Sequence, residues 1–322
     1  MKRVILGSLI ISIIWVASFL PLQAKNGPEQ DVTIAEQFGL AYAPLQIMKQ
    51  EKLLEKAMPS LTVQWRQMGN TAVIREAMLA GEVDIGFMAI PPFLIGWDKG
   101  MSWKIACGLS ESPLGLVTNQ ARIRSLKDFT PQDRIAVPQP GSVQHILLAM
   151  ACERDLGDAK KLDNLLVTLA HPDGMNALFA GKEITAHFTA PPYLFNELAK
   201  PGIHQILDGR EAIGQNFTFV VGATTVAFHN KRPKAYRGFM TALHQVVGLI
   251  NKNPDQAAAI LAPQYGISKT EAIKYLTWPG MKYSTTIRGI EPFADFMLKQ
   301  GYITQKPSLR EIVWTTSKKE YE

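Results

Sequence analysis

Cysteine is scarce: the 322-residue chain has only Cys107 and Cys152, too few for a disulfide framework. An exported protein could join two cysteines. However, Cys107 lies in an expected strand and Cys152 on an expected helix of another lobe, so two buried free thiols are expected. Charge is also modest, with 19% charged residues and a formal net charge of +6. No arginine-rich patch or aromatic stacking platform accompanies that mild basic excess, which argues against a nucleic-acid partner. The chain lacks a Gly-x-Ser-x-Gly elbow, a phosphate-binding glycine loop and a Cys/His cluster at metal spacing. No enzymatic activity, cofactor or metal is expected. His171, His187 and His204 are scattered and read as structural or exposed.

Long apolar runs are absent after residue 24, so no later stretch reaches the ~18 apolar residues a membrane span requires. The one long run, Val4 to Leu20, follows Lys2 and Arg3 and ends in Leu22-Gln23-Ala24. That order is the charged, apolar and small-residue pattern of a signal peptide over residues 1–24, with an uncleaved anchor as the alternative. Losing Lys2 and Arg3 would lower the net charge from +6 to +4. The remainder is long enough to bury roughly 75% of its unfolded surface without staples.

Two stretches look like copies at an offset of 100 residues: Met78 to Leu94, and Leu178 to Leu194. Ala80-Gly81 matches Ala180-Gly181, and Pro91-Pro92 matches Pro191-Pro192. Each copy reads as helix end, glycine turn, apolar strand and Pro-Pro loop opening a helix. Ahead of the first, strands at 31–35 and 61–67 alternate with helices from Ala43 and Thr71, giving β-α-β-α-β and a parallel sheet with helices on both faces. Ahead of the second, strands at 134–138 and 165–169 repeat the plan, with a helix after Ser142 and one over 175–179. Strands at 217–221 and 225–229 are expected to return the chain to the first lobe. Helices over 234–250, 255–262, 269–276 and 289–300 then cover its sheet. Residues 25–30 read as frayed and 315–322 as a solvated tail.

Ligands in such sheets sit beyond the carboxyl ends of the strands. The best candidate there is Gly141-Ser142, a turn that opens a helix and offers N–H groups, a hydroxyl and the positive end of the helix dipole to an oxyanion. A plain helix cap explains the same residues. Asn70-Thr71 offers that chemistry from the first lobe. Gln37, Phe38, Tyr42 and Tyr193 lie in loops at the same edge, where the aromatic rings could enclose an apolar ligand part or simply pack between lobes. Ala89-Ile90 and Thr189 end the repeated strands, and the loops 89–92 and 189–192 are expected to face each other. His145, one turn into its helix, is a candidate donor. Glu36 and Glu111 would favour an amine if they reach the site. Thr224 stands at the return crossing.

The order of Lys52-Leu53-Leu54-Glu55-Lys56, Ala80-Gly81-Glu82-Val83-Asp84-Ile85-Gly86, Pro138-Gln139-Pro140-Gly141-Ser142 and Pro191-Pro192-Tyr193-Leu194 resembles the periplasmic solute-binding proteins of ABC importers. The similarity is to the branch that binds nitrate, sulfonates, taurine and pyrimidine precursors of thiamin. It implies a two-lobed α/β flytrap, with residues 31–112 plus 224–322 as one lobe and 113–223 inserted as the other. Hinges are expected at Ser110 to Leu114 and Gly222 to Thr225. It further implies a periplasmic monomer that passes a small solute, sulfonate- or taurine-like, to a membrane permease and its ATPase. A thiamin-precursor binder is the alternative. A pyrimidine-synthesising enzyme is disfavoured, because the cysteine-rich motif of that relative is missing. A sensory module would use the same flytrap.

Overall fold

The computed structural model describes residues 31–314. The expected signal peptide, the segment 25–30 and the tail 315–322 lie outside the described residues. Eleven strands form two sheets. In chain order they are β1 (Asp31–Glu36), β2 (Thr62–Gln67), β3 (Ile85–Ala89), β4 (Trp103–Glu111), β5 (Gly115–Thr118), β6 (Ile135–Val137), β7 (Leu166–Thr168), β8 (Ala186–Thr189), β9 (His204–Asp208), β10 (Val220–Thr225) and β11 (Lys282–Tyr283).

The first sheet has the order β11-β4-β10-β3-β1-β2, and the second β7-β6-β8-β5-β9. In the first, β1 runs parallel to β2 and β3, while β10 is antiparallel to β3 and β4. In the second, β6 runs parallel to β7 and β8, while β5 is antiparallel to β8 and β9. The orders β2-β1-β3-β10-β4 and β7-β6-β8-β5-β9 therefore match strand for strand. In each sheet the antiparallel strand is the one that follows a crossing from the other lobe. The second sheet is built from the continuous stretch 115–208, whereas the first takes β10 and β11 only after the chain has returned from the other lobe.

The inner parallel strands β1, β3, β6 and β8 are buried and mostly apolar, as a sheet covered on both faces requires, while the edge strands β2 and β7 are partly exposed. The helix Pro233–Lys252 covers part of the first sheet. It buries Tyr236, Phe239, Leu243, Val246 and Ile250 on one stripe and packs on the helices Ala43–Gln50 and Leu53–Ala57. Burying each of these large side chains contributes about 1.5–3 kcal/mol. Pro254 follows its end, and Asn253 Oδ1 caps the next helix by accepting from the Gln256 N–H at 3.2 Å.

The return crossing differs from expectation. A single strand, Val220–Thr225, replaces the pair at 217–221 and 225–229, and Val226–Lys231 is helical. Thr225 decides this locally, because its hydroxyl accepts from the Phe228 N–H at 3.1 Å and starts a helix. Gly222 to Thr225 is therefore no hinge. Those residues pair with β3 and β4 in the middle of the first sheet. The chain crosses back at 214–219, between the helix Gly209–Ile213 and β10, and crosses outward at 112–114, between β4 and β5. Cys107 and Cys152 are buried and not joined in a disulfide, one on β4 and the other on the helix Val143–Leu156.

Candidate functional site

The helices that follow the parallel strands begin at a common cleft. After β1 the chain turns through Gln37, Phe38 and Gly39, and Gln37 Nε2 donates to Thr71 Oγ1 at 3.1 Å and to the Phe87 carbonyl at 3.3 Å. After β2, Asn70 Oδ1 caps the helix Thr71–Leu79 by accepting from the Val73 N–H at 3.2 Å. After β6, Ser142 Oγ accepts from the His145 N–H at 3.3 Å and opens the helix Val143–Leu156. After β7, the helix His171–Ala180 starts directly at His171.

Between the lobes lies a narrow cavity with about 30 Å³ of free space, so a solute larger than water requires the lobes to part. Gln37, Gln139 and Gln144 give it amides, and Tyr42, Thr71 and Ser142 give hydroxyls. Phe38, Phe219 and Tyr42 supply rings, and His171 an imidazole. Gly69, Ala89, Pro92, Pro138 and Val143 complete the wall. Among the described residues, no lysine, arginine, aspartate or glutamate lines it. An anion held here would rest on N–H groups at helix starts, hydroxyls and amides.

The lobes touch around this cavity. Gln139 Oε1 accepts from the Ala72 N–H at 2.9 Å, and the Pro191 carbonyl accepts from the Leu40 N–H at 3.0 Å. Gly39 has φ of 121°, and a Cβ there would lie 2.9 Å from the Pro191 oxygen, so only glycine permits that approach. The Pro191–Pro192 peptide is cis, and its helix begins at Tyr193. In the first repeat unit the helix begins earlier, at Ile90, and includes both prolines.

The contacts that the two repeat units make across the lobes are with other elements. Unit 178–194 meets the Gly39–Leu40 turn. The helix Ile90–Asp98 of unit 78–94 instead packs on the helix Val143–Leu156, with Ile95 against Gly141. Each unit thus faces the first strand–helix turn of the other lobe.

Beside the cavity, and sharing Phe38 with it, is a recess that includes Glu36, Gln46, Lys49, Gln67, Tyr193 and Tyr265. Glu36 is buried, and its Oε2 has no hydrogen-bond partner among the described residues. Burial raises its carboxyl to about 7, and the charge of Lys49 opposes that rise. The Tyr265 hydroxyl lies 2.6 Å from Gln46 Oε1 and 3.1 Å from the Gly39 carbonyl.

The structure brings six of the expected residues to the cavity wall: Gln37, Phe38, Tyr42, Thr71, Ala89 and Ser142. Tyr193 lines the recess instead and stacks on His171 with ring centroids 5.8 Å apart. The others lie elsewhere. His145 is buried, and both its nitrogens are engaged, Nδ1 accepting from the Gly141 N–H at 2.8 Å and Nε2 lying 3.1 Å from Asp163. It steadies the Gly141 turn rather than facing a ligand. Glu111 pairs with Lys282 at 3.6 Å at the end of β4. Thr224 accepts from Trp314 Nε1 at 2.8 Å inside the first lobe. Asn70 is occupied by its helix cap, and Ile90 and Thr189 are buried behind the wall.

Sequence reasoning missed Gln139, Gln144, His171 and Phe219. The position of His171-Pro172 directly after β7 could have marked the histidine, since it opens a helix at a strand's carboxyl end. Read as scattered and structural, His171 and His187 in fact meet, with His171 Nδ1 and His187 Nε2 3.1 Å apart.

The model of the NMT1-like family matches residues 25–262. No curated protein matches the chain in sequence. The alkanesulfonate-binding protein SsuA from Xanthomonas axonopodis pv. citri, bound to MOPS, is similar in structure, with a TM-score of 0.73 at 20% identity over 88% of this chain and 98% of its own. The periplasmic aliphatic sulphonate-binding protein SsuA from Escherichia coli gives 0.67 at 21% identity over 90% and 94%. A ligand-binding component of an ABC-type import system from Staphylococcus aureus, with zinc bound, gives 0.71 at 17% identity over 88% and 96%. These likenesses establish a two-lobed periplasmic-binding-protein fold, and with a family match over most of its length the chain belongs to the NMT1-like family.

Proposed function

We propose that the chain is the extracytoplasmic solute-binding component of an ABC importer. It captures a small organic solute with an oxyanion head, of sulfonate or taurine type, and delivers it to the membrane permease and its ATPase. The observation that carries this reading is the uncharged cavity between two lobes, walled by three helix starts and by hydroxyl and amide side chains. Thr71 and Ser142 donate to the head, and Phe38, Tyr42 and Phe219 enclose the organic part. Closure is driven by contacts that bridge the lobes, Ala72 to Gln139 and Leu40 to Pro191. The ligand is bound and released unchanged. The chain is exported to the periplasm by residues 1–24 and acts as a monomer, meeting the membrane only through the permease.

A second reading is a neutral heterocycle such as a pyrimidine precursor of thiamin, favoured by the three amides and the absence of any lining cation. A thermal-shift screen with alkanesulfonates, taurine, nitrate and hydroxymethylpyrimidines separates the two. Stabilisation by sulfonates supports the first reading, and by pyrimidines alone the second. No shift with any of them defeats both.

A further inference from the structure

A line of hydrogen-bonding groups runs from the cavity wall into the core of the second lobe. Gln144 Nε2 lies 3.1 Å from His171 Nε2. His171 Nδ1 lies 3.1 Å from His187 Nε2, and His187 Nδ1 lies 2.7 Å from Glu197 Oε1. His187 and Glu197 are fully buried, Gln144 nearly so, and His171 is 9% exposed where it meets the cavity. Gly174 makes the line possible, since a Cβ there would lie 2.7 Å from His187 Nε2.

The proposed solute-binding role does not require such a line. A charge of either sign is costly this far from water, so each member is cheapest when neutral. Burial pushes the Glu197 carboxyl up to about 9, with only the Thr189 hydroxyl opposing. Burial pushes His187 down to about 3, and lowers His171 well below the usual histidine range with help from His187. Among the described residues, no lysine or arginine is hydrogen-bonded to the line. On the strands flanking β8, Ala136 and Val117 stand opposite His187. From the helix Tyr193–Leu198, Tyr193 stacks on His171, and Asp173 acts on Tyr193 from the helix His171–Ala180. Gln144 faces the line from the helix Val143–Leu156.

We propose that Glu197, His187 and His171 form a neutral relay that holds His171 as a hydrogen-bond donor towards the cleft. With one proton on each member, Glu197 Oε1–H donates to His187 Nδ1, His187 Nε2–H to His171 Nδ1, and His171 Nε2–H points outward. Outward it meets the Gln144 amide, turned so that its oxygen accepts, or a ligand oxygen. The site thereby gains a fixed donor with no net charge. It would select a head group that only accepts hydrogen bonds, such as a sulfonate, over one that must donate. This deepens the oxyanion reading and rests on it for the choice of ligand, but the direction of the relay is a property of the unliganded protein. Glu197 and His187 are positioning residues, acting only through His171.

Nitrogen-15 NMR of histidine-labelled, ligand-free protein at pH 7 tests the direction. His171 and His187 are expected as neutral Nε2–H tautomers. Glu197→Gln, whose amide can still donate, should keep both tautomers, and Glu197→Met should release His187 and His171 from them. Finding Nδ1–H tautomers, or a charged imidazole, in the wild-type protein overturns the relay even if Glu197→Met does not fold.

Ethanesulfonate serves as the binding probe. Its affinity should be flat between pH 6 and 8, with no proton uptake in calorimetry across buffers. A histidine that had to charge would instead lose about tenfold per pH unit. Glu197→Met should weaken binding by about tenfold or more, and Glu197→Gln by less than about threefold. If ethanesulfonate fails to bind while the Nε2–H tautomers are present, the oxyanion reading falls and the relay stands.

Discussion

Glu36 and Ser142 show how single groups report on the cleft. Glu36 ends β1 with one oxygen unpartnered in the core, and its carboxyl is raised to about 7 from 4.5. The folded state therefore holds a proton that the unfolded chain releases earlier. Its contribution to stability is fully present below about 4.5 and is lost as pH rises through 7, on the order of 3 kcal/mol across the window. Glu36→Gln should remove that slope, so the difference in urea unfolding between mutant and wild type should grow from pH 5 to pH 8 in the mutant's favour. A constant difference would mean that the carboxyl titrates as if in water. Ser142 both caps its helix and lines the cavity. Ser142→Ala should weaken an anionic ligand by about 1–3 kcal/mol in titration calorimetry. It should also cost about 1 kcal/mol of stability from the lost cap. Unchanged affinity alongside the stability loss would leave Ser142 a cap alone.

At the scale of elements, the lobes meet through turns and helix faces, and the second Pro-Pro loop takes part through Pro191. Gly39 lies close against the Pro191 carbonyl. Gly39→Ala would place a methyl against the Pro191 carbonyl in a backbone conformation that alanine avoids. It should hold the lobes apart and weaken ligand by at least tenfold, as measured by calorimetry. Farther from the cavity, Phe195 stacks on Trp278 at 4.1 Å, and Tyr275 donates to Asn196 at 3.0 Å. These contacts tie a helix of the second lobe to the helix Lys269–Leu276 and the segment after it. Phe195→Ala should loosen the closed form, read as a loss of the ligand-induced change in tryptophan fluorescence together with weaker binding. The repeat predicted β3 and β8 and the helices after them. It did not predict that Thr225 would start a helix, because an apolar run of this length fits strand and helix equally well.

At the scale of the molecule, two sheets of matching order are joined by two crossings, at 112–114 and 214–219. Closure is then expected as a rotation about these crossings, with both sheets kept intact. The amides of Leu40 and Ala72 donate across the gap to the other lobe. Hydrogen exchange should therefore slow at these two amides when ligand binds, while β1 and β6 change little. Equal protection with and without ligand would mean that the lobes are already locked.

Much of the architecture was legible in the sequence. Apolar strands of buried parallel type, helix caps and the 100-residue repeat are local signals, and local physics decides them. Gln37, Phe38, Tyr42, Thr71, Ala89 and Ser142 were legible for the same reason, as they directly follow strands or open helices. The rest depends on distance in space. His145 matched the local pattern yet turns back to Gly141 and Asp163. Gln139 gained its role only by reaching Ala72 across the gap. His171, His187 and Glu197 are spread over 27 positions and share no motif, and only the packing of β8 between two helices makes one line of them. The turns beyond the strands were readable from the chain itself. Which turn each repeat unit faces was decided by how the two lobes close.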